Sequence, residues 1–205
     1  MDSAPGITAS VAHAYRALGL PVPDAASLRS FVGPPITDSF PRHGVPVERV
    51  REAVAQYRAA FTAGGMFDNA VFDGIPEALR ELRAAGCLLA VATSKPEVYA
   101  RPICDRFGLS PLVDAVYGAP LDEGTSTKGD VIAKALADLG RGADETARTL
   151  MVGDREHDVH GAAEHGIACL GVTWGYATPG ELAQAGAVAL VDDVADLAGT
   201  VLARL

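Results

Sequence analysis

Three short apolar runs constrain this chain more than any other feature: CLLAVAT at residues 87–93, TLMVG at 149–153 and ACLGVT at 168–173. Each is too short for an ordinary helix and almost free of polar residues, as a parallel strand covered on both faces must be. The segments between them carry helical spacing. Residues 76–85 place Leu79 and Leu82 on one face and close at Gly86. A helix is expected over 97–107 and a short strand near 113–117. Val131, Ile132, Ala135, Leu136 and Leu139 mark a further helix. Strands alternating with helices imply a parallel sheet with helices on both sides, a doubly wound, Rossmann-like α/β core.

The N-terminal third reads differently. Residues 3–65 look all-helical, with no strand evident. Ser3 is placed to cap a first helix with Pro5 in its opening turn, and Ile7, Val11 and Tyr15 form its apolar stripe. A short helix over 25–31 is expected to end at Gly33-Pro34-Pro35. Val47, Val50, Val54, Tyr57 and Phe61 then keep helical spacing up to Gly64-Gly65. The expected division is a helical domain over 1–70 and an α/β domain over 71–205.

With 205 residues, 49% of them hydrophobic, the chain can bury a core without staples. Its net charge of −9 disfavours nucleic acid and anionic membrane surfaces as partners. Cys87, Cys104 and Cys169 are far apart and outside any CxxC pattern, so reduced thiols are expected rather than disulfides or a zinc site. No apolar run approaches the roughly 20 residues of a membrane span, and no signal-peptide pattern opens the sequence. A cytoplasmic compartment is the expectation.

In parallel sheets, ligands gather at the carboxyl ends of the strands. Here those ends carry a hydroxyl pair, Thr93-Ser94, in VATSK, and two carboxylates, Asp154 and Asp158, in MVGDREHD. Lys128, in TSTKGD, falls just before a helix. Carboxylates supply hard oxygen ligands for Mg²⁺, hydroxyls donate to a phosphoryl oxygen, and an ammonium offsets phosphate charge. Each has a plainer role as turn former, surface lysine, helix cap or first-turn acid. Those roles do not account for all of them standing at strand ends in one order. Lysine is scarce here, with three (Lys95, Lys128 and Lys134) against fourteen arginines, which makes Lys128 more informative than a generic surface charge.

This order, VATS, then a lysine at the mouth of a helix, then GDxxxD after an apolar strand, resembles the haloacid dehalogenase superfamily of phosphohydrolases. FVGPPITDSF, VFDGIPEALRELRAAG, VYGAPLDEGTSTKGDVI and LGVTWGY are similar to its phosphoglycolate-phosphatase-like branch. The resemblance covers essentially the whole chain. It implies that the N-terminal helices form a four-helix cap, that Thr93 binds the phosphoryl group with Ser94 beside it, and that Lys128 is the motif III lysine. It further implies Asp154 as a Mg²⁺-binding acid with Asp158 as its supporting acid. The implied substrate is a small phosphorylated metabolite, with no nucleic acid or membrane involved, and the implied state a monomer or homodimer.

The resemblance also exposes a departure. The family's DxDGT motif, which ends its first strand and carries nucleophile and general acid, has no match here; Asp2-Ser3 resembles the acid–serine pair that follows it. Phe72-Asp73-Gly74 lacks the second acid, the threonine and a preceding apolar strand, and is rejected as nucleophile. Two readings follow: a phosphatase truncated or mis-started before its nucleophile, or a non-catalytic relative that binds a phosphorylated ligand or a protein. A receiver domain is disfavoured by the helical N-terminal segment, and a P-loop ATPase by the lack of GxxxxGK[ST]. With the family's central first strand absent, a gap or a strained direct pairing is expected between residues 87–93 and 149–153.

Overall fold

The structure, a computed structural model, describes residues 1–121 and 126–205, with backbone only at 143–145. The chain divides into two compact units, Met1–Val71 and Phe72–Leu205.

The first unit is built on four helices: α1 (Ala4–Ala17), α2 (Ala25–Arg29), α3 (Ile36–Arg42) and α4 (Val50–Ala63). α1 packs along α4, burying Val11, Tyr15, Val54 and Phe61. Phe31 and Phe40 complete the core at 1% and 0% exposure, with ring centroids 5.5 Å apart in an edge-on pair. Ser3 stands at the N-cap of α1, but its side chain makes no capping bond; Asp2 Oδ1 instead accepts from the Ala4 amide at 3.2 Å. Helix α3 escapes the sequence reading because Pro34 and Pro35 look like a stop. Pro35 is in fact its N-cap, where a fixed φ costs nothing, and buried Phe40 anchors it despite Pro41 in its last turn. The unit's two ends are zipped by an antiparallel bridge between Asp2 and Ala70 (2.7 and 3.0 Å), a pairing that no periodicity announces.

The second unit alternates helix and strand: α5 (Ile75–Ala84), β1 (Ala90–Pro96), α6 (Glu97–Arg106), β2 (Ala115–Ala119), α7 (Lys128–Asp138), β3 (Leu150–Gly153), α8 (Glu156–Ala163), β4 (Ala168–Val172), α9 (Glu181–Ala185), β5 (Ala189–Val191) and α10 (Leu197–Leu202). Every strand pairing is parallel. The residues of β4 sort by face as a strand requires. Leu170 and Val172 pack with Ala78 and Leu82 of α5 and with Leu197, Ala198 and Val201 of α10. Cys169 turns the other way, to Ile132 of α7, Val159 and Ala162 of α8, and Leu182 of α9. Helices thus cover both faces, the doubly wound α/β arrangement expected from the strand–helix alternation.

The strands form two sheets rather than one, β1–β2 and β3–β4–β5, and no ladder joins β1 to β3 among the described residues. Of the two outcomes expected between these segments, direct pairing is absent. Both sheets nevertheless lean on the same helices, since Ala92 of β1 and Met151 of β3 pack against one cluster. Two expectations need correction. The run at 87–93 does not enter the ladder until Ala90, and continues through Pro96 with a register irregularity after Thr93. Nor is it buried on both faces: β1 is half-exposed along most of its length, and Val152 of β3 is 37% exposed. β1 and β3 each have one hydrogen-bonded neighbour among the described residues, whereas β4 has two. No helix among the described residues is long and apolar enough to cross a membrane.

Candidate functional site

All five residues singled out by the sequence lie in the second unit, and one lysine ties most of them together. Lys128 is the first residue of α7 rather than the residue before it. Thr127 caps that helix by a reciprocal pair: its Oγ1 accepts from the Asp130 amide at 3.1 Å, and Asp130 Oδ2 accepts from the Thr127 amide at 2.8 Å. From this fixed start the Lys128 ammonium donates to the Ala92 carbonyl at 2.9 Å and pairs with Asp158 Oδ1 at 2.7 Å. The two side chains are 11% and 8% exposed, a buried ion pair. Its stem lies across α8 at Gly161, where any Cβ would collide with it. Of the stretch around it, residues 122–125 lie outside the described residues, so VYGAPLDEGTSTKGDVI is followed only in part.

Asp158 serves the turn after β3 as well. Its Oδ2 accepts from the amides of Asp154 (3.0 Å) and Arg155 (3.1 Å), so both of its oxygens are engaged. Asp154 is less fully matched. Its Oδ2 accepts from the Tyr176 amide at 2.9 Å, where Gly175 lets the chain approach without a clash, while no hydrogen bond reaches Oδ1 among the described residues. Burial, reinforced by the charge of Asp158 and opposed by the Tyr176 amide, holds its carboxyl above the usual carboxylate range. A half-buried carboxylate with one oxygen making no hydrogen bond among the described residues can accept a further positive partner.

Thr93 and Ser94 sit in β1 immediately after the Ala92 carbonyl that Lys128 holds. Thr93 Oγ1 accepts from the Lys95 amide at 3.2 Å. The Lys95 residue is half-exposed as a whole, but burial around its ammonium lowers it to about 8. Because one ammonium reaches both Ala92 and Asp158, the carboxyl ends of β1 and β3 meet at the same place. Asp73, rejected as nucleophile, instead lines a separate cavity of about 320 Å³ with Glu77, Glu81 and Asp193, which contains none of the five.

Several participants were not foreseen. The Thr127–Asp130 capping pair is legible in hindsight as T-x-x-D before an apolar run. The Ala92 carbonyl and the Tyr176 amide carry no side-chain signal at all. Glu181 was missed too: its Oε1 accepts from Arg155 Nε at 2.7 Å and from the Glu156 amide at 3.0 Å. Burial alone would raise its carboxyl, but the Arg155 side chain and the Thr178 and Glu156 amides outweigh that and hold it down at about 2.

Known proteins resemble this chain over most of its length. Residues 1–172 match the sequence pattern of the haloacid dehalogenase-like hydrolases. A protein of Pseudomonas aeruginosa named 5'-nucleotidase is 42% identical over 182 residues, covering 88% of this chain and 81% of the relative. A Mycobacterium tuberculosis protein named tyrosine-protein kinase PtkA is 46% identical over 175 residues; the match covers 85% of this chain but only 59% of PtkA. The crystal structure of a predicted phosphatase from Clostridium acetobutylicum superimposes with a TM-score of 0.91 at 41% identity, over 98% of this chain and 93% of that one. Phosphoglycolate phosphatases also occur among the relatives. The chain belongs to the haloacid dehalogenase-like hydrolase family, among its phosphatases.

Proposed function

We propose that the second unit binds the phosphoryl group of a small phosphomonoester at the joined ends of β1 and β3, as a Mg²⁺-dependent phosphatase of the cytoplasm. The observation that carries this reading is the Lys128 tie. A buried ammonium at the start of a capped helix brings the Thr93-Ser94 strand end within reach of the Asp154 turn. In this reading Thr93 and Ser94 donate to phosphoryl oxygens, and Lys128 supplies the positive charge that makes the approach of a dianion favourable. Mg²⁺ usually takes only one or two protein carboxylates and keeps several waters. Asp154, half-buried and with no hydrogen bond to Oδ1 among the described residues, fits that role. Asp158, both of whose oxygens are engaged, orders the turn and holds Lys128 rather than contacting the ion directly. When bound, the ion would screen phosphate charge and orient a phosphoryl oxygen.

The helical first unit is the proposed cap that selects the substrate, and a small phosphorylated metabolite is the proposed ligand of a monomer or homodimer. The relative named 5'-nucleotidase makes a nucleoside monophosphate the first candidate, with phosphoglycolate beside it. The sequence contains no DxDGT, so the residues described here hold and polarise a phosphoryl group but do not attack it. The second reading is phosphate-ligand binding without turnover. Release of inorganic phosphate from a panel of small esters with Mg²⁺ separates the two. The chain of 205 residues should be inactive, whereas one extended upstream through an apolar strand and DxDGT should turn over, with Asp154→Asn removing that activity. Turnover by the unextended chain that persists in Asp154→Asn would overturn the site.

A further inference from the structure

Glu181 opens α9 directly after Gly180, and nothing in the motif order points to it. Its side chain is only 9% exposed, and four donors converge on its carboxylate. Oε1 accepts from Arg155 Nε and the Glu156 amide (2.7 and 3.0 Å); Oε2 accepts from the Thr178 amide and hydroxyl (2.9 and 3.1 Å). One carboxylate therefore fastens the two residues following Asp154 to the loop between β4 and α9. That same loop donates its Tyr176 amide to Asp154 Oδ2. On its other side the turn is held by Asp158, through the amides of Asp154 and Arg155. The Asp154 turn is thus clamped twice, by one residue inside the motif and by one outside it.

We propose that Glu181 is a positioning residue for Asp154. By locking the 173–180 loop against the 154–156 turn, it keeps the Tyr176 amide on Oδ2 and so leaves Oδ1 as the oxygen presented to a cation. This rests on the reading of Asp154 as a Mg²⁺ ligand, whereas the clamp itself does not. Carboxylates that accept several amide bonds and an arginine make strong, directional contacts, and groups that orient a metal ligand typically influence metal affinity by about 10- to 100-fold.

The test compares the wild-type chain with Glu181→Gln and Glu181→Ala, using amide hydrogen exchange followed by NMR and Mg²⁺ titration followed by calorimetry. Glu181→Gln keeps the shape and one acceptor, so it remains informative should the alanine variant fold poorly. The expected result is exchange at the Glu156 and Tyr176 amides faster by about tenfold or more in the alanine variant. Asp154 and Arg155, whose amides Asp158 holds, should change less. Mg²⁺ affinity should fall by about tenfold, with glutamine intermediate. Unchanged exchange at Glu156 and Tyr176 overturns the clamp whatever the metal does. Faster exchange with unaltered Mg²⁺ affinity overturns the positioning role. If the wild-type chain binds no Mg²⁺, the reading of Asp154 as a metal ligand is what fails, and the exchange data alone decide whether Glu181 holds the turn.

Discussion

Strands β1 and β4 were both expected from apolar runs, at 87–93 and 168–173, and end in different surroundings. β4 has a ladder on each edge and helices on both faces, and four of its five residues are buried, with Leu170 at 0% exposure. β1 has one ladder among the described residues, to β2, and is half-exposed along most of its length; it begins three residues into the apolar run and reads AVATSKP, polar in its second half. Apolar composition decides that a segment prefers burial; the number of neighbouring strands decides whether burial is available. On the open side of β1, the described link to the other sheet is a side chain, Lys128, standing between the Ala92 carbonyl and the Asp158 carboxylate.

That contrast can be broken most forcefully at the link. Lys128→Ala should leave the Asp158 carboxylate buried without its partner and the end of β1 untethered, costing about 3–5 kcal/mol. Chemical denaturation checks this, and Lys128→Ala combined with Asp158→Asn should recover part of the loss. A cost near zero would mean that the ion pair holds nothing together. The next effect belongs to the doubly paired strand. Leu170→Ala should cost about 3 kcal/mol, since a fully buried leucine leaves a cavity between helices on a rigid sheet.

Acid should act on the Asp154 turn through Glu181. Its carboxyl is held below its unfolded value, so the stabilisation it supplies is complete above about pH 4.5 and is lost as pH falls toward about 2. The shift corresponds to at most about 3 kcal/mol. Glu181→Gln should flatten this acid limb in a plot of unfolding free energy against pH, and an identical limb in the variant would assign acid sensitivity elsewhere. The smallest effect is expected on the open sheet edge. Val152→Ala in β3, at 37% exposure, should cost under about 1 kcal/mol by the same denaturation measurement. A loss matching that of Leu170→Ala would show that β3 is as enclosed as β4, and would erase the contrast.

Much of the site was legible because its chemistry is local. Thr93-Ser94 follow an apolar run, Asp154 and Asp158 sit four apart after another, and Lys128 starts a helix whose capping pair is written in adjacent residues. Spacing alone, however, assigns Asp154 and Asp158 like duties. Only the hydrogen bonds separate them: Asp158 spends both oxygens on Lys128 and the turn, while no hydrogen bond reaches Asp154 Oδ1 among the described residues. Glu181 was invisible for the same reason, being one acidic residue among many until the chain folds back more than twenty positions to meet Arg155.

By itself the amino-acid sequence determined the alternation of strand and helix in the second unit, the helical character of the first, and the order in which the chemical groups meet the strand ends. These follow from side-chain period and from cap and turn chemistry, which act over a few residues. Tertiary structure alone decided the bridge between Asp2 and Ala70, the helix that Pro35 caps, the division of the strands into two sheets, and which Asp154 oxygen accepts from the Tyr176 amide. Each of these depends on groups distant in sequence reaching hydrogen-bonding or packing distance. Such contacts form only when the whole fold offsets the entropy of closing the loops between them.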